Sequence, residues 1–165
     1  MAISELDENI LTNDVTASAT SGRSLYERFG GRPTLEKVHK IFYDKLNKHP
    51  WLNGFFANID QKHIENQQSD FISQLTSGPK IYSGRMPNHG HAHIYITDEL
   101  FNVRSELLKQ SLIEVGVPEK EREEWIKVDM AFKRVMVKDS PRDCIKRYAD
   151  EDVVVINNPN SLKAS

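Results

Sequence analysis

A single cysteine, Cys144, stands among 165 residues. That excludes an intramolecular disulfide and any zinc or iron–sulfur site built on several thiolates. A lone thiol of this kind reads first as a surface or half-buried side chain rather than as a nucleophile. Excess charge of one sign is also lacking. The 22 Lys and Arg against 24 Asp and Glu leave a net charge of −2 with the signs interspersed, so no basic face for nucleic acid is indicated. No apolar run approaches the roughly 18 residues needed to span a bilayer. The first residues hold no basic segment leading into an apolar one, so a signal peptide is not expected and a cytoplasmic protein is. The chain has no Gly-rich phosphate loop, no G-x-S-x-G elbow and no H-E-x-x-H pair. Its many carboxylates fall at helical spacing, as solubilising charge on solvent faces.

What the chain does have is helical periodicity over most of its length. Residues 1–23 are polar and read as mostly flexible, although Ile3, Leu6, Ile10 and Leu11 could form an amphipathic turn or two. Ser24 begins the ordered part as an N-cap, with Glu27 in the capping-box position. Gly30-Gly31 breaks that short helix, and Pro33 suits the first turn of the next. Leu35, Val38, Phe42 and Leu46 then form a core stripe, with Tyr43 at its edge. Trp51 to Phe56 is an apolar corner too short for a full helix. Asp60 starts a helix with Ile64, Gln68, Phe71, Ile72 and Leu75 on one face, so an amide falls within an apolar stripe. An unpartnered buried amide costs on the order of 1–3 kcal/mol. Gln68 therefore either finds a structural partner or faces a polar ligand in a pocket.

Ser77-Gly78-Pro79 stops that helix. Thr97 caps another, which opens at Asp98, carries Leu100, Val103, Leu107 and Leu108, and ends near Gly116. Pro118 opens a last long helix with Trp125, Val128, Phe132, Val135 and Met136 at helical spacing. Ser140-Pro141 predicts a short further helix through Tyr148. Val153 to Ile156 reads as a short strand or a sticky tail segment, and the chain from Asn157 as loose. The expectation is an all-α body at 24–137, an N-terminal extension at 1–23 and a C-terminal extension at 138–165.

The chemistry concentrates just before the helix at Asp98, where His89, His91 and His93 alternate. Imidazole is a common transition-metal ligand and the usual axial ligand of haem iron. Read alone, the stretch serves equally as a polar loop, or, if extended, as a three-histidine metal site. Tyr43, Gln68 and the aromatic corner Phe55-Phe56 tilt the balance. Together with a histidine near 91 they describe an apolar slot for a flat macrocycle, one imidazole ligand, and hydroxyl and amide donors for a dioxygen ligand.

Those same residues carry a family likeness. Ser24 through Gly31, Ile41-Phe42-Tyr43, Phe55 through Asp60, Gln68 through Phe71, Gly84-Arg85-Met86 and His91 through Phe101 occur in the order and spacing that mark the truncated haemoglobins. The chain resembles group I best, over about residues 24–137. The resemblance implies a two-over-two helical sandwich holding haem b, with His91 as the proximal iron ligand. It implies Tyr43 and Gln68 as a distal hydrogen-bonding pair and Phe56 against the haem face. Phe42, Phe71, Ile72 and Met86 would stand in the walls. Ile64 would occupy the place where other globins often keep a distal histidine. His89 and His93 would then be exposed neighbours, near a propionate. Three departures stand out. Ser77 replaces one glycine of the family's second pair, Arg104 falls on a helix position facing the distal haem, and both tails are long. Gln67 lies where some relatives place an internal iron-binding histidine, which leaves His63 as the nearby candidate for six-coordination.

The function implied is binding of dioxygen and other diatomic ligands, NO and CO among them. Conversion of NO to nitrate would be a secondary activity, needing an external electron donor because no reductase is fused. The alternative is a haem-based gas or redox sensor signalling through its terminal extensions.

Overall fold

A computed structural model describes residues 22–161; Ile3, Leu6, Ile10, Leu11 and the rest of the chain before residue 22 lie outside them. The helices are α1 (Leu25–Phe29), α2 (Gly31–Lys48), α3 (Asn53–Phe56), α4 (Gln61–Leu75), α5 (Pro87–Gly90), α6 (Asp98–Val115), α7 (Glu119–Met130) and α8 (Lys133–Met136), with a 3₁₀ turn at Pro141–Asp143. Helix α2 packs against both α4 and α6, and α6 packs against α7. Two helix pairs thus stack on each other, the two-over-two arrangement. No helix among the described residues is long and apolar enough to cross a membrane.

The ends of these helices follow from side-chain chemistry. Ser24 and Glu27 cap each other's backbone N–H groups in a complete capping box. Asp60 Oδ1 accepts from His63 N at 2.7 Å, and Thr97 Oγ1 accepts from Leu100 N at 3.1 Å, each satisfying a donor that the first helical turn leaves free. Gly30, at φ 101°, lets the chain turn from α1 directly into α2. Along α2, Leu35, Val38, Phe42 and Leu46 are all buried, each contributing roughly 1.5–3 kcal/mol of apolar burial. Phe29 stacks at 4.7 Å on Trp125 of α7. Outside this core, Arg28 reaches Glu124 at 2.8 Å and Glu121 at 3.3 Å.

Several sequence expectations need correction. The helix after Pro118 is interrupted at Ala131 and Phe132, so α7 and α8 replace one continuous element. The short helix expected through Tyr148 is a single 3₁₀ turn, capped reciprocally by Ser140 and Asp143; beyond it the backbone of Ile145 and Val154 bonds across to Ala92 and His93. Val154 makes one parallel bridge with Ile94, and Val137 another with Ile96. The chain from Asn157 to Ser161 is also placed, with Asn158 Nδ2 donating to Glu99 at 2.9 Å. Not all carboxylates face solvent, since Glu65 and Asp129 are buried. Cys144 is half-buried, and desolvation pushes its thiol up, away from thiolate.

His39 is fully buried, beside Trp125 and 2.7 Å from Ser69 Oγ through Nδ1. Burial, reinforced by Arg104 and Arg32, lowers it to about 3, so it is neutral in the fold while the unfolded chain protonates near 6.5. A folded-state value below the unfolded one means that the unfolded chain binds more protons between those limits. Stability is then lost as pH falls through that window. Urea unfolding should show a loss of about 1.6 kcal/mol between pH 6.5 and 5 from this group alone, and the loss should shrink in His39→Asn. A second expectation concerns Ser77, the one non-glycine at positive φ (65°) among the described residues. Ser77→Gly should raise stability by about 0.5–1 kcal/mol, the left-handed strain less the entropy of glycine, seen as a higher Tm.

Candidate functional site

A cavity of about 690 Å³ opens between the two helix pairs, within the roughly 300–1,000 Å³ typical of cofactor and ligand sites. Helix α2 supplies Phe42, Tyr43 and Leu46, the α3 corner Phe55 and Phe56, and α4 Ile64, Gln67, Gln68, Phe71 and Ile72. The segment from Tyr82 to Ile96 forms another wall, with His91 and His93, and α6 adds Leu100, Phe101 and Arg104. Phe132 and Met136 close one side, and Arg147 and Val154 reach in from beyond residue 138.

His91 stands just after α5, in a turn rather than a helix. Its Nδ1 lies 2.9 Å from Pro87 O. A carbonyl accepts only, so Nδ1 carries the proton and the lone pair sits on Nε2, which has no hydrogen-bond partner among the described residues. Burial lowers the imidazole to about 4, against the opposing pull of the Pro87 carbonyl and with help from Arg104. It is therefore neutral at physiological pH, the form that binds a metal.

Tyr43 is buried with its ring edge-on to Phe42 at 5.2 Å and Phe56 at 5.8 Å. Burial raises its phenol pKa well above the usual value, so the hydroxyl stays protonated and can donate. Neither that hydroxyl nor the Gln68 amide has a protein partner among the described residues, and both side chains line the cavity. Gln68 thus faces the cavity rather than a structural partner. Two uncommitted donors converge on one space whose walls are otherwise mainly aromatic and aliphatic.

Arg104 lies in that same wall, but not free. Its Nη1 donates to both Asp129 oxygens at 2.9 Å, and its guanidinium sits over Phe42 and Phe101 at 5.3 and 5.5 Å. Asp129 escaped the sequence reading, although a carboxylate one turn after Trp125, within the stripe of α7, is the signal that could have found it.

Of the expected wall residues, Phe42, Phe56, Ile64, Phe71 and Ile72 line the cavity. Met86 does not. It is 48% exposed and stands at the N-cap of α5 with its backbone extended, so its side chain projects to solvent before the chain turns inward. His93 differs from the exposed neighbour expected. It is half-buried, lines the cavity, and has its Nε2 3.3 Å from Arg147 Nη2. His89 and His63 are exposed and outside the lining. Among the described residues no cluster of three or more His, Cys, Asp or Glu is arranged to hold a metal, which removes the three-histidine site.

The lining fits a flat apolar cofactor that one imidazole would hold. It offers aromatic and aliphatic walls, one neutral histidine with a free Nε2, and two donors on other walls. Comparison with known proteins agrees. Residues 24–138 match the family model of the bacterial-like globins. The chain is 30% identical over 95 residues to the group 1 truncated hemoglobin of Tetrahymena pyriformis, covering 58% of this chain and 78% of that protein. It is likewise 30% identical over 95 residues to that of Mycolicibacterium paratuberculosis, covering 58% and 70%. The crystal structure of the Tetrahymena pyriformis protein in its Fe(III) form matches with a TM-score of 0.66 at 29% identity, over 70% of this chain and 98% of that one. The hemoglobin of Chloroflexus aurantiacus matches at 0.64 and 28% identity, again over 70% and 98%. The chain therefore belongs to the bacterial-like globin family, as a haem-binding truncated haemoglobin of group I.

Proposed function

We propose that this globin holds haem b through His91 Nε2 and meets its diatomic ligand with Tyr43 and Gln68. The observation that carries the reading is the pair of unpartnered donors facing the same cavity as a neutral imidazole with a free nitrogen. Haem supplies the metal centre that takes the ligand and exchanges the electron. The chain's own part is to orient, donate and exclude water. The Pro87 carbonyl fixes the His91 tautomer and raises its basicity. The buried phenol stays neutral, so it donates to a ligand with partial negative charge without titrating. The walls from Phe42, Phe56, Phe71 and Ile72 keep the space apolar, which strengthens each polar contact within it.

O₂, NO and CO are all within the reach of such a site. Oxidation of NO to nitrate, which takes up O₂ and an electron, is the secondary activity proposed, with the electron coming from a separate donor. A second reading is that ligand state is passed to a partner through the terminal extensions. It is favoured by one observation: Ile145 N donates to Ala92 O at 2.8 Å and Val154 N to His93 O at 2.9 Å, so the C-terminal extension is bonded directly to the residues that follow His91.

The spectrum of the haemin-loaded, reduced protein should show a sharp Soret band that shifts with CO. His91→Ala should lose it, with partial recovery on adding imidazole; unchanged ligation in that variant would move the proximal role to His93 or His89. Stopped-flow O₂ release should speed up by about tenfold to a hundredfold in Tyr43→Phe, as expected for loss of a hydrogen bond to a charged acceptor. An unchanged rate would remove Tyr43 from the distal role.

A further inference from the structure

The family match ends at residue 138, yet the chain beyond it enters the cavity wall. Gly90 is the last residue of α5 and residues 91–96 are not helical, so the carbonyls of this stretch need partners from elsewhere. Those partners come from the C-terminal extension. Lys138 Nζ donates to His91 O at 3.0 Å and Ile94 O at 2.8 Å, and Lys138 N to Ile96 O at 2.9 Å. Ile145 N and Val154 N take the carbonyls of Ala92 and His93, and Arg147 Nη1 takes Gly90 O at 3.2 Å. Ile156 O then accepts from Trp51 Nε1 at 2.8 Å. The extension is thus a strap from the His91 segment to the α3 corner.

The rim of the cavity has two characters. Along the cavity lining, one part offers exposed Ile59 and Gln67 and the other the guanidinium groups of exposed Arg85 and half-buried Arg147. Tyr148, half exposed, joins these two cations. Its hydroxyl accepts from Arg85, and its ring centroid lies 5.0 Å from the Arg85 guanidinium and 5.7 Å from that of Arg147. The only carboxylate within this group is Glu151, which the Arg147 side chain holds down to about 2. Arg85 has no ion-pair partner among the described residues. Two cations against one carboxylate leave the rim with a net positive charge, and one Arg147 Nη1 N–H is uncommitted. Haem has an apolar body and two carboxylates on one edge.

We propose that residues 138–158 are a wall of the haem site, and that Arg147, with Arg85 held across Tyr148, receives the carboxylate edge of the macrocycle. The inference rests on the haem reading. It gives the strap a ligand-binding role that the globin body alone does not supply: the extension both completes the backbone bonding of the His91 segment and contributes a charge to the mouth.

The test loads the full chain separately with haemin and with haemin dimethyl ester, then follows release of each to excess scavenger apoglobin by Soret absorbance. The wild-type chain should release the ester about tenfold faster than haemin, the loss expected for charge-assisted hydrogen bonds. In Arg147→Met and Arg85→Met, release of haemin should rise toward that of the ester, while the ester's own rate stays near wild type. Arg85→Met touches neither His93 nor Glu151, so it keeps the test open if Arg147→Met unfolds the strap. Equal release of both porphyrins from the wild-type chain overturns the proposal, as does an unchanged ratio in the variants. Faster release of both by the same factor also overturns it, because that reports lost packing rather than carboxylate recognition. A wild-type chain with no saturable Soret band would instead strike down the haem reading, and is told apart at the first step.

Discussion

His91, proposed as the imidazole that holds the haem, must be fixed in direction, and it stands on a backbone that is not helical. The structure resolves that constraint locally at Nδ1, through the Pro87 carbonyl, and around it through Lys138, Ile145 and Val154. A helix satisfies its own backbone and can carry a ligand unaided. A turn cannot, so its carbonyls must be met by other parts of the chain or by water. That is why the cavity wall and the C-terminal strap form one assembly, and why Lys138, though a cation desolvated and lowered by burial, is tied to three carbonyls.

The interior of the site is organised by keeping its polar groups either neutral or paired. His91 and Tyr43 are both driven towards their uncharged forms by burial, since an isolated charge in such a place costs far more than a shifted pKa. In the α6 wall, Arg104 is neutralised by both oxygens of Asp129 and flanked by two aromatic rings. Tyr43 and Gln68 are left as uncommitted donors facing the cavity.

Helix placement was legible because it depends on local rules. The spacing of Leu35, Val38, Phe42 and Leu46, the caps at Ser24, Asp60 and Thr97, and the glycine pair at 30–31 each specify their own neighbourhood. The likeness of six short segments in fixed order points to Tyr43, Gln68 and His91 as a set, and all three line one cavity. Met86 was misjudged because an order of segments does not say which way a side chain points at a helix entrance. His93 differs for another reason: Arg147, 3.3 Å from its Nε2, is 54 positions away.

The amino-acid sequence by itself determined the helices, their caps, the amphipathic faces and the residue types available for a haem site, since these follow from periodicity and short-range chemistry. Only the tertiary structure decided that Asp129 pairs with Arg104, that the extension after residue 138 bonds along the His91 segment, and that two arginines meet across Tyr148. Those contacts join residues dozens of positions apart with no shared period. Their partners are chosen by which unsatisfied groups the packed helices bring within reach, a choice that no local pattern encodes.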